Sequence, residues 1–264
     1  MRYTNLIDDM TWSFSRIGSY RMCPYQFLQH YIYGEKESDK FFSTYGKFMH
    51  ELIAEHLEEG KSSDALLISY LKNFRQKVKG KAPNEKIFEG YLDKGAEYIG
   101  DLESELLSFD PIAIEEKYTF TLGGKKFVGI VDMVAKNSDG ELCIIDHKSH
   151  QLKPRSDRDP PTKGDQELDE YLRQLYLYCI PVKKKFGEYP EWLIFNCFRN
   201  DPINRIIVEP FVEEDFEAAK KWALDSIEEI RQEDEWESDV EFWKCMHICG
   251  LNDRCEAWQN RERE

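Results

Sequence analysis

Two apolar stretches near the middle of the chain are each interrupted by one aspartate: Gly129-Ile130-Val131-Asp132 and Ile144-Ile145-Asp146-His147-Lys148. Both read as strands, and Ser138-Asp139-Gly140 between them reads as a three-residue hairpin loop with Gly140 at its positive-φ position. That loop pairs residues whose numbers sum to 278 and sets Asp132 opposite Asp146. Opposed Cβ atoms lie about 4.5–5.5 Å apart, and like charges there repel, more strongly away from water. Ile130 and Val134 on one face, with Val131 and Met133 on the other, indicate a strand covered on both sides, so both carboxylates are expected to be partly buried. A cation must compensate them. Lys148, two residues past Asp146, projects from the same face and supplies part of the charge. Hard carboxylate oxygens suit Mg²⁺ or Mn²⁺ for the rest. Such an ion polarises a phosphodiester and acidifies a bound water, while Lys148 balances charge in the transition state. The alternative at this level is structural: turn caps, or an ion pair with Lys148.

Two further polar residues sit on otherwise apolar helical faces. His50 shares a face with Ile53, Ala54 and Leu57, and can add an imidazole ligand if its helix packs over the sheet. Tyr171, Gln174, Leu175 and Tyr178 recur at i, i+3, i+4 and i+7. A glutamine between tyrosines on such a face needs partners, and a phosphate, a water, Lys148 or a loop carbonyl would serve.

The surrounding elements follow from periodicity and punctuation. Helices are expected from Ser13, from Pro24 through Tyr33, across 48–57 with Gly60 closing the pattern, and over 63–79 and 85–108. Strands follow at 112–122, 126–135 and 142–149, with Gly123-Gly124 as the first hairpin turn. A proline-bearing loop at 150–165 leads to a helix at 166–186, strands at 191–199 and 203–210, and an acidic amphipathic helix at 213–233. This order describes an α/β layered protein with helices on the sheet.

The chain has 264 residues, with 51 acidic and 36 basic side chains and a net charge of −15. With 41% hydrophobic residues it has ample core material, which excludes a disordered or fibrous protein. Its longest apolar runs fall far short of the roughly 18 residues a membrane helix needs. An opening segment with Asp8 and Asp9 has no apolar signal core, so a soluble cytoplasmic protein is expected. Residues 211–264 hold 17 acidic and 7 basic side chains, two-thirds of the surplus. Basic residues gather at Lys77, Lys79 and Lys81, at Lys125 and Lys126, at Lys183 to Lys185, and in the 150–165 loop. That loop leaves the sheet directly after Lys148, and its Lys153, Arg155, Arg158 and Lys163 are the best placed to touch a polyanion.

Of seven cysteines, Cys143, Cys179 and Cys197 lie in strand or helix patterns and read as core. Cys245, Cys249 and Cys255 cluster near the C-terminus around His247. The odd count and the expected compartment favour thiols or metal ligands over disulfides.

Taken together these residues resemble the PD-(D/E)XK nuclease superfamily, in particular its RecB-like branch. The similarity lies in Gly129-Ile130-Val131-Asp132, Asp146-His147-Lys148 and Gln174-Leu175-Tyr176-Leu177-Tyr178. It extends to Ser13-Phe14-Ser15-Arg16-Ile17, Cys23-Pro24-Tyr25 and Gly46-Lys47-Phe48-Met49-His50-Glu51. The resemblance implies one nuclease domain over 1–264 with a restriction-endonuclease-like core. A mainly helical part, 1–110, would precede the mixed sheet at 111–210, followed by an acidic helix and cysteine tail at 211–264. It further implies that Asp132, Asp146 and the His147 carbonyl bind the metal, with His50 as an added ligand and Glu115 or Glu116 contributing. Lys148 would be the catalytic lysine, with Gln174 and Tyr178 supporting it or touching DNA. The implied activity is a metal-dependent deoxyribonuclease of recombination or repair, an exonuclease since no separate specificity segment is visible, with a helicase or recombination partner. An endonuclease, or a catalytically silent DNA-binding subunit of the same fold, is the alternative. Some RecB-like nucleases, of the AddB type, are similar in a further respect: a [4Fe–4S] cluster held by one cysteine of the Cys-Pro motif and three near the C-terminus. Cys23, Cys245, Cys249 and Cys255 match, with three rather than the usual two residues between the second and third. That departure leaves open a cluster of altered geometry, a zinc site using His247, or free thiols.

Overall fold

Five strands form one mixed sheet in the computed structural model, which describes residues 3–261. They are β1 (Asp110–Leu122), β2 (Lys125–Lys136), β3 (Leu142–Lys148), β4 (Trp192–Cys197) and β5 (Ile206–Pro210), adjacent in chain order. The first three form an antiparallel meander because two short turns join them. β3 and β4 are parallel, which requires a crossover, and the long helix α7 (Lys163–Phe186) provides it.

Helices precede and follow the sheet. They are α1 (Thr4–Asp8), α2 (Phe14–Met22), α3 (Pro24–Phe27), α4 (Phe41–Glu59), α5 (Ser63–Lys77), α6 (Glu85–Leu106), α8 (Glu213–Gln232), α9 (Phe242–His247) and α10 (Glu256–Arg261). Ser13, Ser62 and Asn84 cap α2, α5 and α6 as such residues do. Thr162 and Asp165 form a capping box at the start of α7. The expected helix from Pro24 to Tyr33 is divided: α3 gives way to a π-helical turn at Leu28–Ile32. The last strand begins at Ile206 rather than 203, because Pro202–Asn204 form a 3₁₀ turn.

The sheet carries a core on each face. Cys143 and Ile145 of β3 pack with α4, α5 and α6, while Leu142 and Ile144 pack with α7 and α8. β2 departs from the expected alternation. Val131 and Val134 share the α7 side, whereas Met133 and Ala135 belong to the α4 side, so the two-residue period breaks beside Asp132. The break matches a register shift on β1 between Pro111 and Ala113 and a positive φ of 45° at Glu115, which bend the partner strand there. A third core joins the N-terminal helices, Phe127, Leu177 and α8, with Trp12 hydrogen-bonded to β2 as a one-residue bridge.

One buried cation fastens the α6 layer to the sheet. Arg205, fully enclosed just before β5, reaches Glu97 at 2.7 Å, Asp101 at 3.4 Å and Glu105, all on one side of α6. Removing one partner of a buried pair typically costs about 3–5 kcal/mol. Glu97 and Asp101 are 39% and 53% exposed and can be rehydrated, which favours the low end. Arg205→Ala should therefore destabilise the fold by about 3 kcal/mol, read as a fall in the urea midpoint.

Candidate active site

The β2–β3 hairpin has the register expected from the turn. Gly140 has φ 81°, and Met133 pairs with Ile145, Val134 with Ile144, Ala135 with Cys143 and Lys136 with Leu142. One residue further along, the ladder ends and side chains take over: the His147 N–H donates to Asp132 Oδ2 at 2.8 Å. Asp132 and Asp146 thus meet at the open end of the hairpin, where α4 approaches from one face and α7 from the other.

From α4 comes His50. Its Nδ1 lies 3.4 Å from Glu115 Oε1 and 3.7 Å from Asp132 Oδ2, while its Nε2 is 2.9 Å from the His147 carbonyl. One donor atom each from His50, Glu115 and Asp132 falls within a 4.8 Å sphere of mutual distances. Of the two glutamates, Glu115 is the one that lies beside His50. Its positive φ turns it toward His50, whereas Glu116 pairs with Lys185 and accepts from Tyr118.

From α7 comes the support for Lys148. The Lys148 ammonium is 2.7 Å from Asp146 Oδ2 and donates to Gln174 Oε1 at 3.0 Å. It also lies over the rings of Tyr171 and Phe195 at 5.0 and 5.6 Å. Gln174 Nε2 donates to the Tyr178 hydroxyl at 3.0 Å. Since a lysine can only donate, the amide oxygen must face Lys148 and the amide nitrogen Tyr178. The ring of Tyr178 occupies room left by Gly129, where a Cβ would lie 2.4 Å from a ring carbon. Two residues beside the site, Asn196 and His150, came with no sequence signal. His147 turns its ring away, with Asn196 donating to its Nδ1 at 3.0 Å, which leaves its carbonyl for His50. His150 packs on Tyr171, with centroids 4.7 Å apart.

Three carboxylates thus face two cationic side chains. Burial, reinforced by the Asp146 charge, pushes the Asp132 carboxyl up to about 7. Burial opposes protonation of His50, but the Glu115 bond and the charges of Asp132 and Asp146 overcome it and raise His50 to about 9. Burial holds His147 far below its ordinary value, and burial with the Lys148 charge lowers His150 to about 4, so both are neutral near pH 7.

The donors are an imidazole, carboxylates and a main-chain carbonyl, a set that could hold a divalent metal ion. The mouth of the site is a cleft lined by Gly46, Lys47, His50, Glu51, Ala54 and Glu115.

Of the loop residues expected to meet a polyanion, Lys153, Arg155, Arg158 and Lys163 are all exposed. Arg155 is engaged with Glu209 at 2.7 Å and Asp169 at 2.8 Å. The loop itself is pinned: Leu152 is buried with its carbonyl bonded to Asn200, and Ser156 bonds Asp165 through N–H and hydroxyl.

At a second place, Cys23, Cys245, Cys249 and Cys255 line one small cavity with Tyr25 and Trp258. Burial, with the neighbouring cysteines adding to it, raises the Cys245 thiol and brings Cys249 up to about 11. His247 is not among them: it lies beside Trp243 on a surface with Lys40 and Lys81. Cys143, Cys179 and Cys197 are buried core residues. No helix among the described residues is long and apolar enough to cross a membrane.

A sequence model of the PD-(D/E)XK nuclease superfamily matches residues 11–256. Among solved structures, the chain is similar to a protein described as a "putative exonuclease" from Eubacterium rectale, with a TM-score of 0.52 and 14% identity over 97% of this chain and 90% of that one. That likeness shows a shared α/β fold of the restriction-endonuclease type. The structure of SSO0001 aligns with 21% identity over 80% of this chain and 95% of that one, at a TM-score of 0.32 that carries no argument. No curated protein matches the sequence.

A metal held by His50 and Asp132 would have to displace the His50 proton and meet an ionised Asp132, so metal and proton would compete. Affinity for Mg²⁺ or Mn²⁺ should rise as pH rises from about 6 toward 9, with about one proton released per ion at pH 8. Calorimetric titration in buffers of different ionisation enthalpy measures both, and a pH-independent affinity would contradict the assigned ligands.

Proposed function

We propose that this chain, which belongs to the PD-(D/E)XK nuclease superfamily, is a divalent-metal-dependent deoxyribonuclease that acts as an exonuclease of the RecB-like type. The observation that carries the reading is Lys148 held 2.7 Å from Asp146 on one strand, with Asp132, Glu115 and His50 gathered beside it. Ion pairs that serve only stability do not need a glutamine and a tyrosine from another element to orient the lysine. Nor do they need three carboxylates to converge.

Asp132, Asp146, His50, Glu115 and the His147 carbonyl would hold Mg²⁺ or Mn²⁺. When bound, such an ion polarises the phosphodiester and lowers the pKa of a water. The protein's own contribution is positional. Gln174, fixed by Tyr178, aims the Lys148 ammonium at the space beside Asp146, where it orients the attacking water and offsets charge on the phosphoryl oxygens. Lys47 at the cleft and Lys153 and Arg158 on the following loop would take backbone phosphates. A role in recombination or repair, with delivery by a helicase-type partner, accords with the RecB-like motifs.

The four cysteines gathered in one cavity support a [4Fe–4S] cluster as a second cofactor, since thiolates from both ends of the chain would be clipped together there. The position of His247 outside that cavity argues against the zinc alternative that used it.

The decisive assay uses end-labelled linear single- and double-stranded DNA and a closed circle with Mg²⁺, Mn²⁺ or EDTA. Wild type should release short products from linear DNA only with metal, and Lys148→Ala should lose at least 10³-fold in rate while keeping its circular dichroism. Cutting of the circle would make the protein an endonuclease, and an active Lys148→Ala would remove the assigned site. For the second cofactor, Cys249→Ser purified anaerobically should lose bound iron and melt at lower temperature; an iron-free wild type would end that proposal.

A further inference from the structure

β3 and β4 run parallel with Lys148 opposite Cys197, so the residues that leave the sheet just beyond them emerge side by side. Two past Lys148 is His150, and two past Cys197 is Arg199. The exits are tied together, because Gln151 Nε2 donates to the Arg199 carbonyl at 3.2 Å. Arg199 stacks on Tyr91 of α6, its guanidinium carbon 3.6 Å from the ring centroid, which sets the plane of the fork.

Like Arg16, Arg75, Arg158, Arg173 and Arg261, it forms no ion pair among the described residues, unlike the other arginines near the sheet. Arg155 has two carboxylate partners and Arg205 has three. Among the described residues, no carboxylate lies within ion-pair distance of Arg199, although acids outnumber bases 51 to 36. Its Nε is enclosed and finds no acceptor, and the same holds for Nε2 of His150, which lies within electrostatic reach of Arg199, Lys148 and Asp146. Enclosed polar atoms without partners are costly, and an acceptor supplied from outside the chain is one way to satisfy them. The His150 ring packs on Tyr171, over which the Lys148 ammonium lies, so His150 follows directly from the lysine, and Arg199 leaves the neighbouring strand beside it.

We propose that Arg199, with His150 beside it, is a binding subsite for a backbone phosphate of the nucleic-acid strand next to the bond being cut. A guanidinium fork held flat on a tyrosine matches two phosphate oxygens, and a neutral imidazole N–H adds a third donor. The subsite rests on the nuclease reading above. It adds the residue that would grip the strand one step from Lys148.

The test compares wild type, Arg199→Met and Arg199→Lys on a labelled single-stranded oligonucleotide, by steady-state cleavage in Mg²⁺ and by anisotropy binding in EDTA, over a series of salt concentrations. Arg199→Met should raise KM about tenfold with a much smaller change in kcat, and should flatten the slope of log affinity against log salt by about 0.7, one phosphate's worth. Arg199→Lys should restore the slope while leaving KM elevated. His150→Phe should raise KM without altering the slope, since it removes a neutral donor. An unchanged KM and slope in folded Arg199→Met overturns the subsite while the nuclease reading stands. Loss of kcat together with melting temperature, at constant slope, would make Arg199 a structural residue and likewise overturn it. Inorganic phosphate that competes with wild type and Arg199→Met equally would show that the fork does not hold phosphate. If wild type binds without cutting, the slopes still decide; if it neither binds nor cuts, both readings fall.

Discussion

Everything near the functional centre is arranged around a repulsion. Asp132 and Asp146 sit at the open end of one hairpin with Glu115 close by, in surroundings dry enough to lift the Asp132 carboxyl to about 7. Such a cluster is tolerated only if positive charge comes from outside the hairpin, because the hairpin itself offers one cation, Lys148. Each helical layer responds with one side chain. α4 sends His50 from one face, where it touches Glu115, Asp132 and the His147 carbonyl. α7 sends Gln174 from the other, so that Lys148 stays directed at Asp146. The placement of both helices against the sheet therefore follows from the charge they must neutralise or orient as well as from the cores they bury. The same arrangement explains why a half-buried polar group appears on each of two otherwise apolar helical faces.

How much of this was legible in the chain depends on how local the determinant is. The register of Asp132 and Asp146 depended on one three-residue loop and one glycine, and the paired residues have the sum expected from it. Gln174 and Tyr178 needed only helical periodicity. Glu115 against Glu116 could not be decided, because strict alternation gives no sign of a left-handed residue. The register shift at Pro111–Ala113 and the positive φ at Glu115 break that alternation, and the break moves the choice by one residue. Val131 and Met133, expected on one face, separate for the same reason.

Long-range ion pairing was the less legible part. Arg155 looked like a phosphate ligand by its place after Lys148, yet Glu209 on β5 and Asp169 on α7 take its guanidinium, and nothing local points to either. Arg205 lies in an unremarkable turn, while its partners recur every fourth residue of α6, about 100 positions earlier. Arg199 had no signal at all, because what marks it, its exit beside that of β3 and its stacking on Tyr91, exists only in the folded chain. In a strongly acidic chain the informative arginines are those that the folded structure leaves without a carboxylate.

That point also answers the difficulty that a net charge of −15 raises for a protein meant to meet DNA. Acidity concentrates in the C-terminal part, and α8, its main helix, packs against α7, α1 and α2. The cleft with His50 and Lys47 opens instead along α4, which covers the other face of the sheet. A polyanion approaching from the α4 side meets Lys47 and the end of the sheet that carries Lys148 and Arg199. Because the Debye length is about 8 Å at physiological salt, exposed charges across the thickness of the sheet and its helices are largely screened. What governs encounter is then the local count of free cations near Lys148 rather than the sum over the chain. With so few of them, binding should be weak and strongly dependent on how each one is used, so that under the proposed reading an unpaired guanidinium such as that of Arg199 carries more weight than it would in a basic protein.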